Sequence, residues 1–429
     1  GVLRGLETFA QLVKGHGSSR TYHIKAPVSV SDEPRFAYRG LLLDSARHFL
    51  PMERLLNQLE GMAASKLNVL HWHVVDAQSF PLEVDALPLL SEQGRYVAGA
   101  TYARKDVREL AKRALEYGIK LVVEIDNPGH AYAWGKGYPN LTLSCPSFEA
   151  NINNVPLDPT KPEALEALGK VLKQLVEDVG SSQKRIGSTF LHLGGDEVSS
   201  GCLNEAPTIQ QYLREHPEAT LTTILSAWER QALAVATQAG ASVVLWEDVM
   251  GWMQEWEPQV KAAKGIIQGW ITPAATAKAL KAGFPTVTSF GYYLDRDNPT
   301  GGKAPYAFAD TWKMMYSTDP EDPVDADPKA KLNLHLLLGG EATAWGEALN
   351  DRVVEAIVWP RACAVAERLW SPRARNDAVE AQPRLMAMTC KLQARGVDAM
   401  SLEPGPPCAE SDLRKPHKPL LRGGQNKNE

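Results

Sequence analysis

Residues 189–198 read TFLHLGGDEV. A short apolar run passes into two glycines and then two adjacent carboxylates, Asp196 and Glu197, placed side by side although like charges repel. The bland reading is a polar turn closing a strand, since acids at strand ends often cap the next helix. The sharper reading is a catalytic pair at a strand end. What the other strands end on decides between them.

Seven further runs have the same apolar, β-branched character: residues 37–44, 67–75, 120–126, 242–248, 265–270, 286–291 and 334–342. Amphipathic stretches lie between them. Residues 52–66 space Leu55, Leu59 and Met62 as a helix does, 105–118 close on Gly118, and 160–180 open with a proline in the first turn. Residues 221–240 and 273–283 continue the alternation. Eight strands alternating with helices predict an α/β fold of the (β/α)8 barrel type. A doubly wound open sheet is the competitor, but no Gly-rich phosphate-binding fingerprint follows any strand.

In such barrels chemistry sits at the carboxyl ends of the strands. The strand ends here carry Arg39 and Asp44, Asp76, Glu124 and Asp126, Asp196 and Glu197, Trp246 and Glu247, Trp270, Tyr292 and Tyr293, then Trp345 and Glu347. Acids and aromatics are what a pocket for a polyhydroxylated ring needs, which favours the catalytic reading of Asp196-Glu197. A close anionic neighbour would also raise one carboxyl toward the protonated form that a general acid requires.

Composition fits this reading. The chain has 429 residues and a formal charge of −5, with no Lys/Arg block long enough for a nucleic-acid groove. Its fully apolar runs are too short to span a bilayer. Residues 5–13 read as a helix with Leu6, Phe9, Leu12 and Val13 on one face, residues 317–330 as a long loop, and 413–429 as a loose basic tail. Gly1 begins mid-element, so secretion is not readable from the N-terminus. Four of five cysteines, Cys145, Cys202, Cys390 and Cys408, fall in turn-rich segments and allow three pairings, while Cys363 reads as a buried thiol in a helix. With a glycosylation sequon at Asn140, they favour an oxidising compartment, lysosomal or secreted.

Two histidine groups bear on the chemistry. His71-Trp72-His73 with Asp76 could hold a metal, completed by His130 or His192, and serve a metal-dependent hydrolase. The pair precedes Val74-Val75, however, deep in its strand, where buried histidines with ordinary hydrogen bonds are commoner. In EIDNPGH (124–130), His130 could hold a carboxylic acid across the barrel mouth, or merely stabilise its loop.

The motifs YRGLLLDSARHFLP, KLNVLHWHVVDAQSFP, DNPGHAYAWG, LHLGGDEV, VVLWEDV, IIQGW, GGEATAWGE and WPRACAVAERLWS succeed one another about once per strand. Together they resemble glycoside hydrolase family 20, the β-N-acetylhexosaminidases, over roughly residues 36–400. The resemblance implies exo-hydrolysis of terminal β-linked GlcNAc or GalNAc with retention, without a cofactor or metal, the substrate's own acetamido oxygen being the nucleophile. It implies Glu197 as general acid and base, with Asp196 orienting the acetamido group. His130 and Asp76 become the dyad holding Glu197, and Tyr293 the donor to the acetamido oxygen. Trp246, Trp270 and Trp345 become the acetamido cage, with Arg39 and Glu347 on the sugar hydroxyls. Asp295 and Arg296 fall where charge preference is set. The family's disulfide pairing would be Cys145–Cys202 and Cys390–Cys408. Residues 1–35 then read as the remnant of a small N-terminal α/β domain, 36–410 as the catalytic barrel and 411–429 as a tail. The expected partner is a glycan, chitooligosaccharide or glycoconjugate, not nucleic acid or membrane, and a homodimer is compatible. An inactive carbohydrate-binding relative is the other class, against which Arg39, Asp196, Glu197, Tyr293 and Glu347 together argue.

Overall fold

A computed structural model describes residues 1–15, 22–295, 311–322, 332–402 and 408. Eight parallel strands close into a barrel: β1 (Tyr38–Asp44), β2 (Val69–Val75), β3 (Lys120–Ile125), β4 (Thr189–His192), β5 (Ala241–Trp246), β6 (Ile266–Gly269), β7 (Thr286–Thr288) and β8 (Leu337–Ala344). Each pairs with its neighbour in sequence, and β8 closes on β1 with Gly339 opposite Tyr38 and Ala344 opposite Leu43. All eight coincide with the apolar runs. Buried on both faces, they read as continuous apolar stretches rather than alternating ones.

Some helix ends follow from their residues. Pro162 opens the Pro162–Gln183 helix, and Gly283, at φ 88°, ends Pro273–Ala282 in the left-handed conformation that glycine tolerates. The first of these runs on through Gly180 to Gln183, because packing on the barrel overrides one poor helix former. Their inward faces join the outward strand residues in one large core.

Inside the barrel, side chains stack in layers two residues apart. The floor at the amino ends is apolar, built from Tyr38, Val69, Val122, Val244, Ile266 and Val287. The layer above is polar: His71, Glu124, His192, Gln268 and Glu341 are all fully buried there. The carboxyl ends open above that layer.

Both disulfides form as expected, Cys145–Cys202 and Cys390–Cys408, and Cys363 is a buried free thiol. Two expectations about their setting change. Cys390 lies inside the Ala378–Ala394 helix and Cys202 inside Ser200–Glu205, so neither is in a turn. The N-terminal helix Val2–Leu12 forms, but it buries no residue, leaving Leu6 59% and Phe9 56% exposed. Arg4 pins it beneath the barrel by a hydrogen bond to the Leu67 carbonyl (2.6 Å). No described helix is long and apolar enough to cross a membrane. The proposed tail 411–429 lies outside the described residues.

Candidate active site

The Gly-Gly pair after β4 is required by what lies behind it. Gly194 and Gly195 adopt φ of 68° and 97°, and a Cβ on Gly194 would sit 1.7 Å from Asp126 Oδ1. That same oxygen accepts the Gly195 N–H at 2.9 Å. The turn is clamped onto the end of β3 and throws the next two side chains over the barrel mouth. Glu197 and His130 are themselves in the left-handed region, at φ 51° and 53°. Non-glycine residues held so carry roughly 1–3 kcal/mol of strain, a feature that concentrates at functional sites.

These two strained residues meet. His130 Nε2 lies 3.4 Å from Glu197 Oε2, a long contact at the edge of hydrogen-bonding range. Its Nδ1 is 3.1 Å from Asp76 Oδ1, and Arg47 Nη2 is 2.8 Å from Asp76 Oδ2. Burial alone would drive the Asp76 carboxyl up, but the charges of Arg47 and His130 prevail and hold it well below the usual range. Burial likewise opposes charge on His130, and Asp76 overcomes it, raising the imidazole well above its ordinary value. The His130 imidazole beside it then holds the half-exposed Glu197 carboxyl below its ordinary value. Asp196 behaves oppositely: burial beside Asp126 pushes it well up, and its buried Oδ1 has no hydrogen-bond partner among the described residues.

A cavity of about 300 Å³ opens over these acids. Trp246, Trp270, Tyr293 and Trp345 line it together with Asp295, Glu347 and Arg47. Trp246 and Trp345 stand 6.0 Å apart, centroid to centroid, and the Trp246 indole is fixed by a 2.7 Å hydrogen bond to Glu124. Trp270 donates to Asp248 at 2.8 Å. The structure therefore gathers Asp76, His130, Asp196, Glu197, Trp246, Trp270, Tyr293, Asp295, Trp345 and Glu347 around one mouth. Arg296 lies outside the described residues.

Arg39 is the correction. It sits at the amino end of β1, where its guanidinium donates to the carbonyls of Phe36 (2.6 Å) and Lys66 (3.1 Å) and covers Trp370. It faces the opposite end of the barrel from the acids. The arginine at the mouth is Arg47, three residues past the end of β1. Arg47 reaches Asp44 (3.1 Å) and Asp76, and lies over the Trp345 ring at 5.2 Å. Strand direction was the available signal: β1 runs from Tyr38 to Asp44, so only residues near or beyond Asp44 reach the carboxyl end.

His71 and His73 lie inside the barrel, as their position before Val74-Val75 implied. Carboxylates occupy their ring nitrogens: Glu341 (2.8 Å) on His71, and Glu124 (2.6 Å) and Asp76 (2.8 Å) on His73. His71, Glu124 and His192 have donor atoms within 4.8 Å of one another, a spacing that an ion could bridge, although the geometry is also that of a closed hydrogen-bonded set. Asn140 is exposed on a short helical turn, as a glycosylation acceptor must be.

A closed parallel barrel whose carboxyl mouth joins paired acids to an aromatic-walled cavity is the architecture of a barrel glycoside hydrolase. Residues 36–373 match the model for glycosyl hydrolase family 20, catalytic domain, and the chain belongs to that family. It is 34% identical to beta-hexosaminidase subunit A1 of Dictyostelium discoideum over 98% of this chain and 75% of that one. It is also 34% identical to the human beta-hexosaminidase subunit beta, over 94% of this chain and 69% of the other. Among solved structures, a chitobiase from Flavobacterium johnsoniae superposes with a TM-score of 0.78 at 29% identity, covering 92% of this chain. This chain spans 57% of the length of that chitobiase.

Proposed function

We propose that the chain is an exo-β-N-acetylhexosaminidase that removes terminal β-linked GlcNAc or GalNAc with retention, using the substrate's acetamido oxygen as nucleophile. One observation carries the reading. Asp196 and Glu197 are consecutive, so they do not face each other across a sugar ring as the two carboxylates of an ordinary retaining glycosidase do. With His130 behind Glu197 and Trp246 and Trp345 beside Asp196, a nucleophile delivered by the substrate fits.

Glu197 gives its proton to the glycosidic oxygen and later takes one from water. A sugar seated over its exposed side would strip water from the carboxyl and push it back up from the value His130 imposes. The unpartnered Oδ1 of Asp196 accepts the acetamido N–H, and positive charge developing on that nitrogen draws the aspartate to its ionised form. Tyr293 donates to the acetamido oxygen, the indoles cage its methyl group, and Arg47 with Glu347 takes the outer hydroxyls. Asp295 lies where charge on the substrate would be sensed. The two disulfides and exposed Asn140 support a lysosomal or secreted glycoprotein acting on glycans, chitooligosaccharides or glycoconjugates. Residues 1–35 are read as the edge of a small N-terminal α/β domain.

The deciding assay compares phenol release from aryl β-N-acetylglucosaminide and aryl β-glucoside, each with and without EDTA. Turnover of the first alone, insensitive to EDTA and yielding the β-anomer first by NMR, is the expected result. Equal turnover of both would mean that the protein supplies its own nucleophile, and loss with EDTA would return the metal reading of His71 and His73.

A further inference from the structure

The buried polar layer beneath the site is wired to the acid above it. Tyr38 donates to Glu341 (2.6 Å), Glu341 meets His71, and His71 Nε2 lies 3.0 Å from Glu124, off the N–H axis. Glu124 takes His73 Nδ1 at 2.6 Å, and His73 Nε2 reaches Asp76 at 2.8 Å. Asp76 then meets His130, and His130 meets Glu197. His73 is the pivotal member. An imidazole facing carboxylate oxygens from both ring nitrogens needs a proton on each, because a bare nitrogen lone pair would point at an oxygen lone pair. Unless one carboxyl takes that proton, the ring is a cation.

We propose that His73 is a permanently cationic positioning residue, locked between Glu124 and Asp76, which fixes Asp76 so that His130 presents Nε2 to Glu197. The inference rests on the reading of Glu197 as general acid. Both Asp76 oxygens are then spoken for: Oδ2 by His73 and Arg47, Oδ1 by His130. Asp76 cannot swing, and with Oδ1 held in place its partner His130 keeps a proton on Nδ1. Asp44 stands opposite His73 in the β1–β2 register and Glu124 in the β2–β3 register, and Trp345 closes one side edge-on. The one opposing group is Arg47, whose Nη1 lies 3.5 Å from Nε2, but the Asp76 and Glu124 oxygens at 2.8 and 2.6 Å are closer and outweigh it. The acidic partners favour the doubly protonated ring despite burial, raising it well above its ordinary value. Glu124 has a second task, since its Oε1 holds the Trp246 indole. One buried carboxylate thereby sets both the acid arm and a wall of the cage.

Two measurements on the intact chain test this. In protein labelled with 15N-histidine, the resonance lost in His73→Gln should show both ring nitrogens protonated, without titrating between about pH 5 and about pH 8, where a free histidine would change state. A neutral tautomer anywhere in that range overturns the proposal. Kinetically, His73→Gln should lower kcat/KM for phenyl β-N-acetylglucosaminide roughly 10–100-fold, because that leaving group needs a proton, as general acids contribute about 10²–10⁴-fold. The dinitrophenyl glycoside, which departs unaided, should change by less than about 3-fold under the same logic. His71→Gln removes a histidine equally buried but not bonded to Asp76, and should leave the ratio between the two substrates as in the wild type. If His73→Gln does not fold, Glu124→Gln serves and should shift the ratio in the same direction. Equal losses on both substrates would reduce His73 to a packing residue and overturn the proposal. Wild type inactive on both would instead condemn the hexosaminidase reading, while the labelled-histidine result would still stand by itself.

Discussion

At the scale of single residues, two arginines eight positions apart in one motif have opposite duties. Arg47 is almost fully buried between Asp44 and Asp76 and reaches the cavity, whereas Arg39 ties loop carbonyls together at the barrel's other end. Arg47→Met should cost activity through both kcat and KM. It also strips two buried carboxylates of a partner, a change worth about 3–5 kcal/mol when a buried pair is broken. Arg39→Met should lower the melting temperature and leave KM of the folded enzyme unchanged. Thermal melts beside steady-state kinetics of both variants check this; a raised KM for Arg39→Met with Arg47→Met silent would restore Arg39 to the site. The motif was legible in sequence, but which of its arginines reaches the mouth depends on strand direction and on three residues of loop geometry.

Elements were more readable than residues. The eight strand runs, the longer helices between the first seven of them and the proline starts were visible, because burial on both faces imposes an apolar strand pattern that no turn imitates; the stop read at Gly180 and helices such as Pro207–Glu215 and Ala378–Ala394 were not. What stayed hidden was the link between elements. The Cys145–Cys202 bond joins the loop after β3, which carries His130, to the short helix that begins three residues after Glu197. Around it Leu143, Val155, Leu203 and Ile209 form a core separate from the main one. This cluster holds the two strained residues over the mouth, and the 57-residue separation makes the constraint larger than a short loop would give. Between the chain-entropy values for shorter and longer loops, Cys202→Ser should cost about 4 kcal/mol. Its remaining activity should fall further than its folded fraction does, measured by circular dichroism and turnover in the same sample. Activity that tracks the folded fraction alone would make the bond a stability device only.

Across the whole molecule, the buried charges predict how stability follows pH. Asp126 is raised to about 6 by burial, and Asp196 and the fully buried Glu229, both of whose oxygens lack a hydrogen-bond partner among the described residues, are raised as well. Unfolded carboxyls titrate near 4, so above that pH the native state binds more protons than the unfolded one, and stability falls as pH rises. The histidines add to this. His71 at about 9, with His73 and His130 also raised, stabilise fully below the unfolded value of about 6.5 and lose that contribution as pH climbs toward 9. Working the other way, Asp76 and Glu124 are lowered, so their contribution is lost on acidification below about 4. His192, held neutral by burial down to about 3, loses its contribution progressively below about 6.5. Three raised acids outweigh one lowered histidine between these limits, which puts the maximum near pH 4–5, with a decline toward pH 8. Glu229→Gln cannot titrate, and its decline should be shallower by about one proton, or about 1.4 kcal/mol per pH unit in the window where Glu229 alone would ionise. Denaturant melts of wild type and variant from about pH 4 to about pH 8 give both slopes. A wild-type curve that is flat or rises over that span would mean the carboxyls behind the Gly-Gly turn are ionised in the native protein, and the charge balance drawn around Asp196 would have to be reversed.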